Sequence, residues 1–381
     1  MSNYLRNLLL TLSGSLLFLA LDSLFFSAHS FAAKQLAFKY GLFEESLPLE
    51  DLRVYAENSQ ASSRLQGFLN HVSPEKQKVV KQVLQIKIPV DIVVLDKLLQ
   101  TEVGNKILSG FAQAIARRDN AGIQALRAAV ILGSRSPEGL GLLSFLEAYP
   151  SQKITIDLAQ APRIIKAANL DFSSSQAPHI DNLSYTPLWQ LQVRYQTIAT
   201  KSKQYYGCLF GDSISAGVGN TLSDKNYNFA LGGLSTISLV EQLKFLIPAN
   251  VKCEKAIIAI GTNDALYGTS NELFIKKMSE TIALVRSLGP RQIFVIPAFY
   301  STVAASYQPP LAGTLIRVEE INTLIRQVAA TEKVPIEAEG IQSLFKDQAL
   351  KEDLTIDGVH LNAKGIEIYR QALLKILSST P

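Results

Sequence analysis

Three short motifs in the second half of the chain contain the residue types that nucleophilic catalysis requires. Ser213 lies in a Gly-Asp-Ser sequence, Asn263 lies in a Gly-Thr-Asn-Asp sequence, and Asp357 precedes His360 by three residues. A serine hydroxyl is a weak nucleophile until a base takes its proton. His360 is such a base, and the i, i+3 spacing places Asp357 on the same side of one turn, where it orients the imidazole. The set predicts a serine hydrolase with catalytic residues Ser213, Asp357 and His360.

Acyl transfer also develops a negative oxygen, which needs hydrogen-bond donors aimed at it. Asn263 offers its side-chain amide, Gly233 a backbone N–H from a turn, and Ser213 its own N–H at the start of a helix. We therefore expect these three residues to form an oxyanion hole. Asp212 and Asp264 are expected to stabilise the neighbouring turns through Asx-type hydrogen bonds.

The elements that position these motifs follow an alternating pattern. Apolar runs predict strands, and the segments between them have the spacing of helices; the strands are expected at 205–210, 227–230, 256–260, 293–296 and 334–336, and the helices at 235–247, 271–288, 315–331 and 361–377. Continuous apolar strands separated by helices favour a parallel sheet covered on both faces. In such sheets, sites form at the C-terminal ends of the strands, which is where Ser213, Gly233 and Asn263 fall.

The rest of the chain has a different pattern. Residues 34 to about 150 show helical periodicity, and residues 154–158 alternate like one short strand. Residues 159–202, broken by serines and prolines, resemble a connection in which Trp189 and Leu191 are the apolar anchors. The predicted organisation is thus a helical accessory domain at 34–158, a connecting segment at 159–202 and a hydrolase domain at 203–381.

The N-terminus has the layout of an export signal. A single charge, Arg6, precedes an almost wholly apolar stretch from residue 8 to residue 20, and Ser30-Phe31-Ala32 offers small residues for cleavage. Because Asp22 interrupts the apolar run, a cleaved signal over residues 1–32 is favoured over a spanning helix, which needs about 20 apolar residues. A retained membrane anchor stays open. We expect an exported protein, either periplasmic or secreted.

The two cysteines are expected to remain free. Cys208 lies five residues before Ser213, and Cys253 lies ten before Asn263. If both motifs end neighbouring strands, the thiols are offset by about five residues, or roughly 16 Å, which is too far for a disulfide.

Composition excludes some partners. The 37 basic and 33 acidic residues nearly balance, and no basic run is interleaved with aromatic residues, so nucleic acid binding is not indicated. The helical region has no His-x-x-x-His pair, cysteine pair or Gly-rich phosphate loop, so we expect neither a metal nor a cofactor.

Residues 205–378 resemble the SGNH, or GDSL-type, hydrolase superfamily. The matching positions are Ser213 in Gly-Asp-Ser-Ile-Ser, Gly233 after Asn228, Asn263 in Gly-Thr-Asn-Asp, and His360 in Asp-Gly-Val-His. The resemblance implies a flavodoxin-like three-layer α/β/α fold and ester hydrolysis without a metal. The chain departs from the family pattern at one place: Ala230 stands where the second motif usually has its first glycine, which leaves Gly232 as an alternative to Gly233.

The helical region resembles a domain of unknown function found on secreted bacterial α/β-hydrolase-like proteins. The resemblance rests on Leu126-Arg127-Ala128-Ala129 and Pro137-Glu138-Gly139-Leu140. It implies an accessory domain and export, and it names no activity.

The expected substrate is a carboxylic ester on a lipid or an acylated glycan. The aromatic loop from Phe299 to Pro310 either lines the substrate pocket or packs against the rest of the domain. Association with the membrane or cell envelope is an open expectation, and the oligomeric state is unknown. Two alternatives remain: an envelope O-acyltransferase, and a non-catalytic binding module of the envelope.

Overall fold

The computed structural model describes residues 32–41, 43–70, 73–85, 87–88, 90–115, 122–160, 181–309 and 311–378. The predicted signal segment, apart from Ala32, lies outside the described residues, as do residues 161–180 of the predicted connection. Within the described ranges, no helix is both long and apolar enough to cross a membrane. The chain divides into two compact units, whose described residues are 32–96 with 108–160, and 97–107 with 181–378.

Helices make up most of the described residues between 32 and 160, as predicted. They are α1 (Leu49–Asn58), α2 (Ser63–Leu69), α3 (Pro74–Gln85), α4 (Ile92–Leu99), α5 (Glu102–Ala112), α6 (Gly122–Gly133) and α7 (Leu142–Glu147), with a 3-10 turn at Leu158–Gln160. Three strands form a small sheet in the order β2-β1-β3: β1 (Gln35–Tyr40), β2 (Phe43–Pro48) and β3 (Lys153–Asp157). β1 pairs antiparallel with β2, Gln35 lying opposite Pro48, and parallel with β3, Gln35 lying opposite Lys153.

Strands β1 and β2 are absent from the sequence-based expectation, which has a single strand at residues 154–158. β1 is the central strand, and its adjacent residues Leu36 and Ala37 are both buried. A strand covered on both faces shows no alternation, so its pattern cannot be told from that of a short buried helix.

Strands and helices alternate through the second unit. Its elements, in order, are α8 (Pro187–Thr200), β4 (Gln204–Gly211), α9 (Ser213–Ala216), β5 (Asn226–Asn228), α10 (Thr236–Leu246), β6 (Lys252–Ala259), α11 (Thr262–Tyr267), α12 (Asn271–Arg286), β7 (Gln292–Ile296), α13 (Val303–Ser306), α14 (Leu315–Glu332), β8 (Phe345–Lys346), β9 (Ala349–Leu350) and α15 (Ala363–Ser378). Short 3-10 turns lie at Leu183–Tyr185, Gln342–Leu344 and Glu352–Leu354.

The main sheet is parallel, with strand order β5-β4-β6-β7. The strand predicted at 334–336 is reduced to a single parallel bridge between Ile336 and Val295 of β7. β8 and β9 form a separate antiparallel hairpin.

Neighbouring residues of each strand face opposite helical layers. In β4, Phe210 lies in a core cluster with residues of α8, α10, α12 and α14, whereas Leu209 lies in a second cluster with residues of α9 and α15. In β6, Ile258 and Ile257 divide between the same two clusters. The predicted three-layer α/β/α arrangement around a parallel sheet is therefore confirmed.

The described part of the predicted connection contains a regular helix, α8. The Thr186 hydroxyl caps it by accepting a hydrogen bond from the Trp189 N–H (3.3 Å), with Pro187 at the first position, where its missing N–H does no harm. Trp189 is fully buried and packs edge-on against Phe245 of α10, while Leu191 is only half-buried. Trp189 is thus an anchor, as expected, and the helix that carries it belongs to the core of the second unit.

The expectation of free thiols is wrong. Cys208 and Cys253 form a disulfide, with their Cα atoms 5.9 Å apart. The expectation assumed that the residues before Ser213 and Asn263 are aligned, which separates the thiols by five residues along the strands.

The strand register explains the error. Cys208 lies opposite Ala256, so the offset from Cys253 is three residues instead of five. Three residues of regular strand still span about 10 Å. Tyr206 and Glu254 do not form a ladder pair, however, and both cysteines are buried in the same core cluster. The two Cα atoms are 5.9 Å apart, which is within the range that a disulfide bridges.

We expect replacement of both cysteines by alanine to lower the free energy of unfolding by about 2–5 kcal/mol, because the crosslink restricts the unfolded chain. Urea denaturation of the full chain measures this change. Dithiothreitol is expected to destabilise the wild type by a similar amount and to leave the variant unaffected. Two titratable thiols in denatured, unreduced wild type would contradict the disulfide.

Candidate active site

Ser213 lies in the first turn after β4, one of the two inner strands of the sheet. Asp212 caps α9 through a hydrogen bond from the Ile214 N–H to its Oδ1 (3.0 Å), the expected Asx-type role. Gly211 ends the strand where a Cβ would come within 2.5 Å of the Ser215 hydroxyl and 2.9 Å of the Ala259 carbonyl oxygen. Only glycine fits this close approach, which brings α9 directly onto the strand end.

His360 and Asp357 lie against Ser213 in a continuous hydrogen-bonded chain. The Nε2 atom of His360 is 2.9 Å from Ser213 Oγ, and its Nδ1 atom is 2.7 Å from Asp357 Oδ2. The other carboxylate oxygen, Oδ1, accepts hydrogen bonds from the backbone N–H groups of Val359 (2.9 Å) and His360 (2.8 Å). The structure thus brings together all three residues predicted as catalytic.

The segment that carries His360 is a loop held by its own side chains. The Thr355 hydroxyl donates to the His360 carbonyl (2.7 Å) and accepts from the Gly358 N–H (2.9 Å). Gly358 has a φ of +90°, and a Cβ there would lie 2.7 Å from the Ala305 Cβ. The Gly358 carbonyl accepts from the Thr302 N–H (2.7 Å), which ties the loop to the start of α13. A glycine is required here by both conformation and space.

Hydrogen bonds join α11, which contains Asn263, to the turn before α10, which contains Gly233. The Asn263 side-chain amide donates to the Leu234 carbonyl (2.9 Å), and Asn263 is buried. Gly233 has a φ of +77°, and its carbonyl accepts from the Tyr267 hydroxyl (2.9 Å). Gly232 has no such positive φ, so Gly233 is the glycine that this turn requires.

Ser213, Gly233 and Asn263 each have an N–H group that the described fold does not use. Among the described residues, none accepts a hydrogen bond from the backbone N–H of Ser213 or of Gly233. The Asn263 amide uses one N–H on Leu234 and has a second. The three residues predicted as an oxyanion hole therefore each have an N–H with no acceptor among the described residues.

Two buried carboxylates hold the surrounding turns. Asp264 accepts hydrogen bonds from both the backbone N–H (2.9 Å) and the hydroxyl (2.6 Å) of Thr236, the first residue of α10. Burial raises the pKa of Asp264 to about 6, and it raises the pKa of Asp212 to about 6 as well, against the lowering effect of the hydrogen bond from Ile214. Asp212 makes the expected Asx-type bond, whereas Asp264 bonds to a residue distant in sequence and so links α11 to α10.

The pKa values of Asp357 and His360 shift in opposite directions. The hydrogen bond to Asp357 raises the pKa of His360, against the effect of burial. Burial acts to raise the pKa of Asp357, but hydrogen bonds from the His360 side chain and from the backbone N–H groups of His360 and Val359 lower it to about 2. An ionised Asp357 that fixes the ring with Nδ1 as donor leaves Nε2 facing Ser213 as a proton acceptor.

Sequence reasoning missed several residues that support the site. Thr236 and Tyr267 hold the turn at Gly233 as described, and Asp181 accepts a hydrogen bond from the Ser238 N–H (3.2 Å) at the start of α10. The one available signal was Ser235-Thr236 before an apolar run, which is typical of a helix start. Asp181 is distant in sequence, and nothing local connects it to α10.

The aromatic residues of the loop from Phe299, predicted either to line a pocket or to pack, differ in their surroundings. Phe299 is buried against Tyr369 and Phe345, and Tyr300 packs edge-on against Phe345. Tyr307, in contrast, is 80% exposed. The end of the loop at Pro310 lies outside the described residues. Among the residues that the structure describes, no group of three or more His, Cys, Asp or Glu side chains could hold a metal ion.

Comparison with known families confirms both resemblances. Residues 209–368 match the model of the GDSL-like Lipase/Acylhydrolase family, and residues 32–157 match that of an alpha/beta hydrolase of unknown function, DUF1400. The first of these families is described as lipases and acylhydrolases, and the match covers residues 209–368 alone. No curated protein matches the chain.

Solved structures include similar chains. A GDSL-like lipase from Bacteroides thetaiotaomicron is 17% identical, with a TM-score of 0.41, over 49% of this chain and 96% of its own. A lipase/acylhydrolase from Enterococcus faecalis is 19% identical, with a TM-score of 0.37, over 45% of this chain and 95% of its own.

We expect His360 to titrate above the ordinary histidine pKa of about 6.5, and Asp357→Asn to lower that pKa, because it removes the anion that stabilises the imidazolium. NMR of the histidine rings measures both values, with His360→Ala assigning the signal among the four histidines. A raised pKa means that the stabilising contribution of protonated His360 is present below about pH 6.5 and is lost as pH rises through the folded-state value. An unchanged His360 pKa in Asp357→Asn would show that the two side chains do not interact in solution.

Proposed function

We propose that the protein is a serine hydrolase of carboxylic esters, in which Ser213 is the nucleophile, His360 the general base and acid, and Asp357 the residue that orients His360. The observation that carries this proposal is the chain of hydrogen bonds from Asp357 through both ring nitrogens of His360 to Ser213 Oγ, with distances of 2.7 and 2.9 Å. Nucleophile, base and orienting group in mutual hydrogen-bond contact are the geometric requirement of such a triad.

The reaction follows from these contacts. Ser213 Oγ attacks the ester carbonyl carbon while His360 Nε2 takes the hydroxyl proton. The resulting tetrahedral intermediate collapses when the bond to the alcohol oxygen breaks and His360 returns the proton to that oxygen. Water then attacks the acyl-serine while His360 Nε2 takes a proton from it. The bond from the acyl carbon to Ser213 Oγ breaks as His360 returns the proton to Oγ, and the free acid leaves. Asp357 stays ionised throughout, consistent with its pKa of about 2.

The oxyanion hole in this proposal consists of the backbone N–H groups of Ser213 and Gly233 and the second N–H of the Asn263 amide. These donors are held in place before the substrate arrives: the Asn263 amide by Leu234, the Gly233 turn by Tyr267, and the start of α10 by Asp264. Donors that need no rearrangement stabilise the developing charge most effectively.

Ser213→Ala tests the nucleophile. We expect it to lower kcat for 4-nitrophenyl acetate by about 10⁴-fold or more, since no other hydroxyl replaces the one that His360 contacts. Exposed Ser343 provides a matched control, and Ser343→Ala is expected to retain wild-type turnover. Turnover that survives in Ser213→Ala would overturn the mechanism, and an inactive wild type would favour a binding module.

The same assay measures how much the Asn263 amide contributes as an oxyanion donor. Asn263→Ala is expected to lower kcat by about 10²–10³-fold with a smaller change in KM, because the lost hydrogen bond strengthens in the transition state. An equal loss in Asn263→Ala and Ser213→Ala, together with a lowered melting temperature, would instead indicate that Asn263 maintains the fold.

We also propose that the protein is exported and acts on ester-linked acyl groups of lipids or glycans at the cell envelope. The apolar stretch at residues 8–20 supports export, and so does the Cys208–Cys253 disulfide, because disulfides persist in oxidising compartments. Cleavage near Ala32 is tested by the N-terminal residue of the protein purified from its cells. A chain that still begins at Met1 would leave a retained anchor as the means of attachment.

A further inference from the structure

The turn of residues 231–234, called here the oxyanion turn, leads into Ser235, the residue that caps α10. The Ser235 hydroxyl accepts a hydrogen bond from the Ile237 N–H (3.1 Å) and donates one to Asp181 Oδ2 (2.5 Å). The same carboxylate oxygen accepts from the Ser238 N–H (3.2 Å). Asp181 therefore fixes the direction of the capping hydroxyl and holds the first turn of α10.

The other oxygen of this carboxylate holds a second neighbour of the oxyanion turn. Oδ1 of Asp181, which is only 7% exposed, accepts a hydrogen bond from the Leu183 N–H (2.8 Å). The Leu183 side chain borders Gly233, since a Cβ at Gly233 would lie 3.5 Å from Leu183 Cδ2. One buried carboxylate thus places both the start of α10 and the side chain that borders Gly233.

The oxyanion turn is held at both of its ends. At its start, the Leu231 N–H donates to the Gly211 carbonyl at the end of β4 (3.1 Å). At its end, the bond from Ser235 to Asp181 joins the turn to the segment before α8. The position of the Gly233 N–H, between these two attachments, depends on both of them.

A third attachment, from Tyr267, lies in the field of the same carboxylate. The Tyr267 hydroxyl donates to the Gly233 carbonyl (2.9 Å). Burial raises the pKa of Tyr267, and the charges of Asp181, Asp264 and Asp212 raise it further. The phenol therefore keeps the proton that it donates to the turn.

Both oxygens of Asp181 accept hydrogen bonds from the fold, so this side chain acts on the reaction through the oxyanion turn. A backbone N–H stabilises an oxyanion while it is aimed at the place where the charge develops. A misplacement of about 1 Å can cost about 10²-fold in rate. Loss of an attachment two residues from Gly233 is therefore expected to slow the chemical step.

We propose that Asp181 is a positioning residue of the active site, which sets the place of the Gly233 N–H through Ser235 and Leu183. This inference rests on the proposed function, because it takes Gly233 as an oxyanion donor. Asp181 and Leu183 precede residues 209–368, which match the GDSL-like family model. Part of the support for the oxyanion hole thus comes from the chain before the matched residues.

Asp181→Ala tests this role with 4-nitrophenyl acetate and the full-length chain. We expect kcat per active molecule to fall by about 10–100-fold while KM stays within about twofold, because the Gly233 N–H is needed most in the transition state. A fluorophosphonate that labels Ser213 covalently counts the active molecules. Its labelling rate is expected to fall by a similar factor, because its phosphoryl oxygen uses the same donors. Asp181→Asn keeps one acceptor oxygen and is expected to lose less.

Thr186→Ala is the matched control, because Thr186 caps α8 in the same segment through the Trp189 N–H (3.3 Å). It is expected to lower the melting temperature and to retain wild-type kcat. Ser235→Ala removes the partner of Asp181 in α10 and gives an independent measurement if Asp181→Ala does not fold. We expect it to lower kcat as Asp181→Ala does. The double variant is expected to lose no more than about twofold beyond the larger single loss, since the two residues act as one unit.

The outcomes separate this inference from the function beneath it. A lowered melting temperature with unchanged kcat per labelled molecule, in either Asp181 variant, would show that Asp181 only stabilises the fold. A raised KM at constant kcat would overturn the inference too, because the residue would then act on substrate binding. Losses that multiply in the double variant would overturn the route through Ser235. A wild type without Ser213-dependent turnover would remove the proposed function, and the inference with it.

Discussion

The pairing of β4 with β6 is the constraint on which the site depends. The two strands run parallel at the centre of the sheet, and Gly211 lies opposite Ala259. Because parallel strands end at the same edge, the turns that follow them, with Ser213 and Asn263, are brought side by side. A slip of the register by one residue would turn every side chain of β4 to the other layer and destroy both cores, so the core fixes the site geometry.

Buried carboxylates connect this edge of the sheet to the helices around it. Isolated charges in the interior are costly, and a buried acid persists only where hydrogen bonds compensate. Asp264 has two such bonds from Thr236, yet burial still raises its pKa to about 6. Replacing it with an apolar residue would leave the Thr236 N–H unpaired. Burying Asp264 costs stability, but its hydrogen bonds to Thr236 hold the start of α10 and so the turn that contains Gly233.

Most strands and helices of the second unit could be predicted from the sequence because their signals are local. Buried strands, helix starts and glycine turns each leave a signal within a few residues, and the rule for parallel sheets then places Ser213 near Asn263. The His360 spacing to Asp357 is also local, and the structure brings the pair onto Ser213 as the motif suggests.

What the sequence did not reveal depends on register and on distant contacts. The disulfide required knowledge of the three-residue offset between the two strands, which cannot be read from spacing. β1 was hidden because burial on both faces removes its alternation. Asp181 reaches the start of α10 from more than fifty residues away, and only the folded chain shows the contact.

The alanine at position 230 shows how the second motif tolerates a change in one place and not in another. Ala230 has no positive φ, and its N–H donates to the Asn228 side chain (3.0 Å), whose amide in turn donates to the carbonyls of Ser215 (2.8 Å) and Gly219 (3.1 Å). The Asn228 side chain therefore holds the turn against α9, and a methyl group at 230 is compatible with it. At Gly233 the backbone has a φ of +77°, a conformation that residues with a Cβ rarely adopt. The requirement for glycine thus follows backbone conformation at each position, and the departure from the family pattern at Ala230 leaves the candidate oxyanion hole intact.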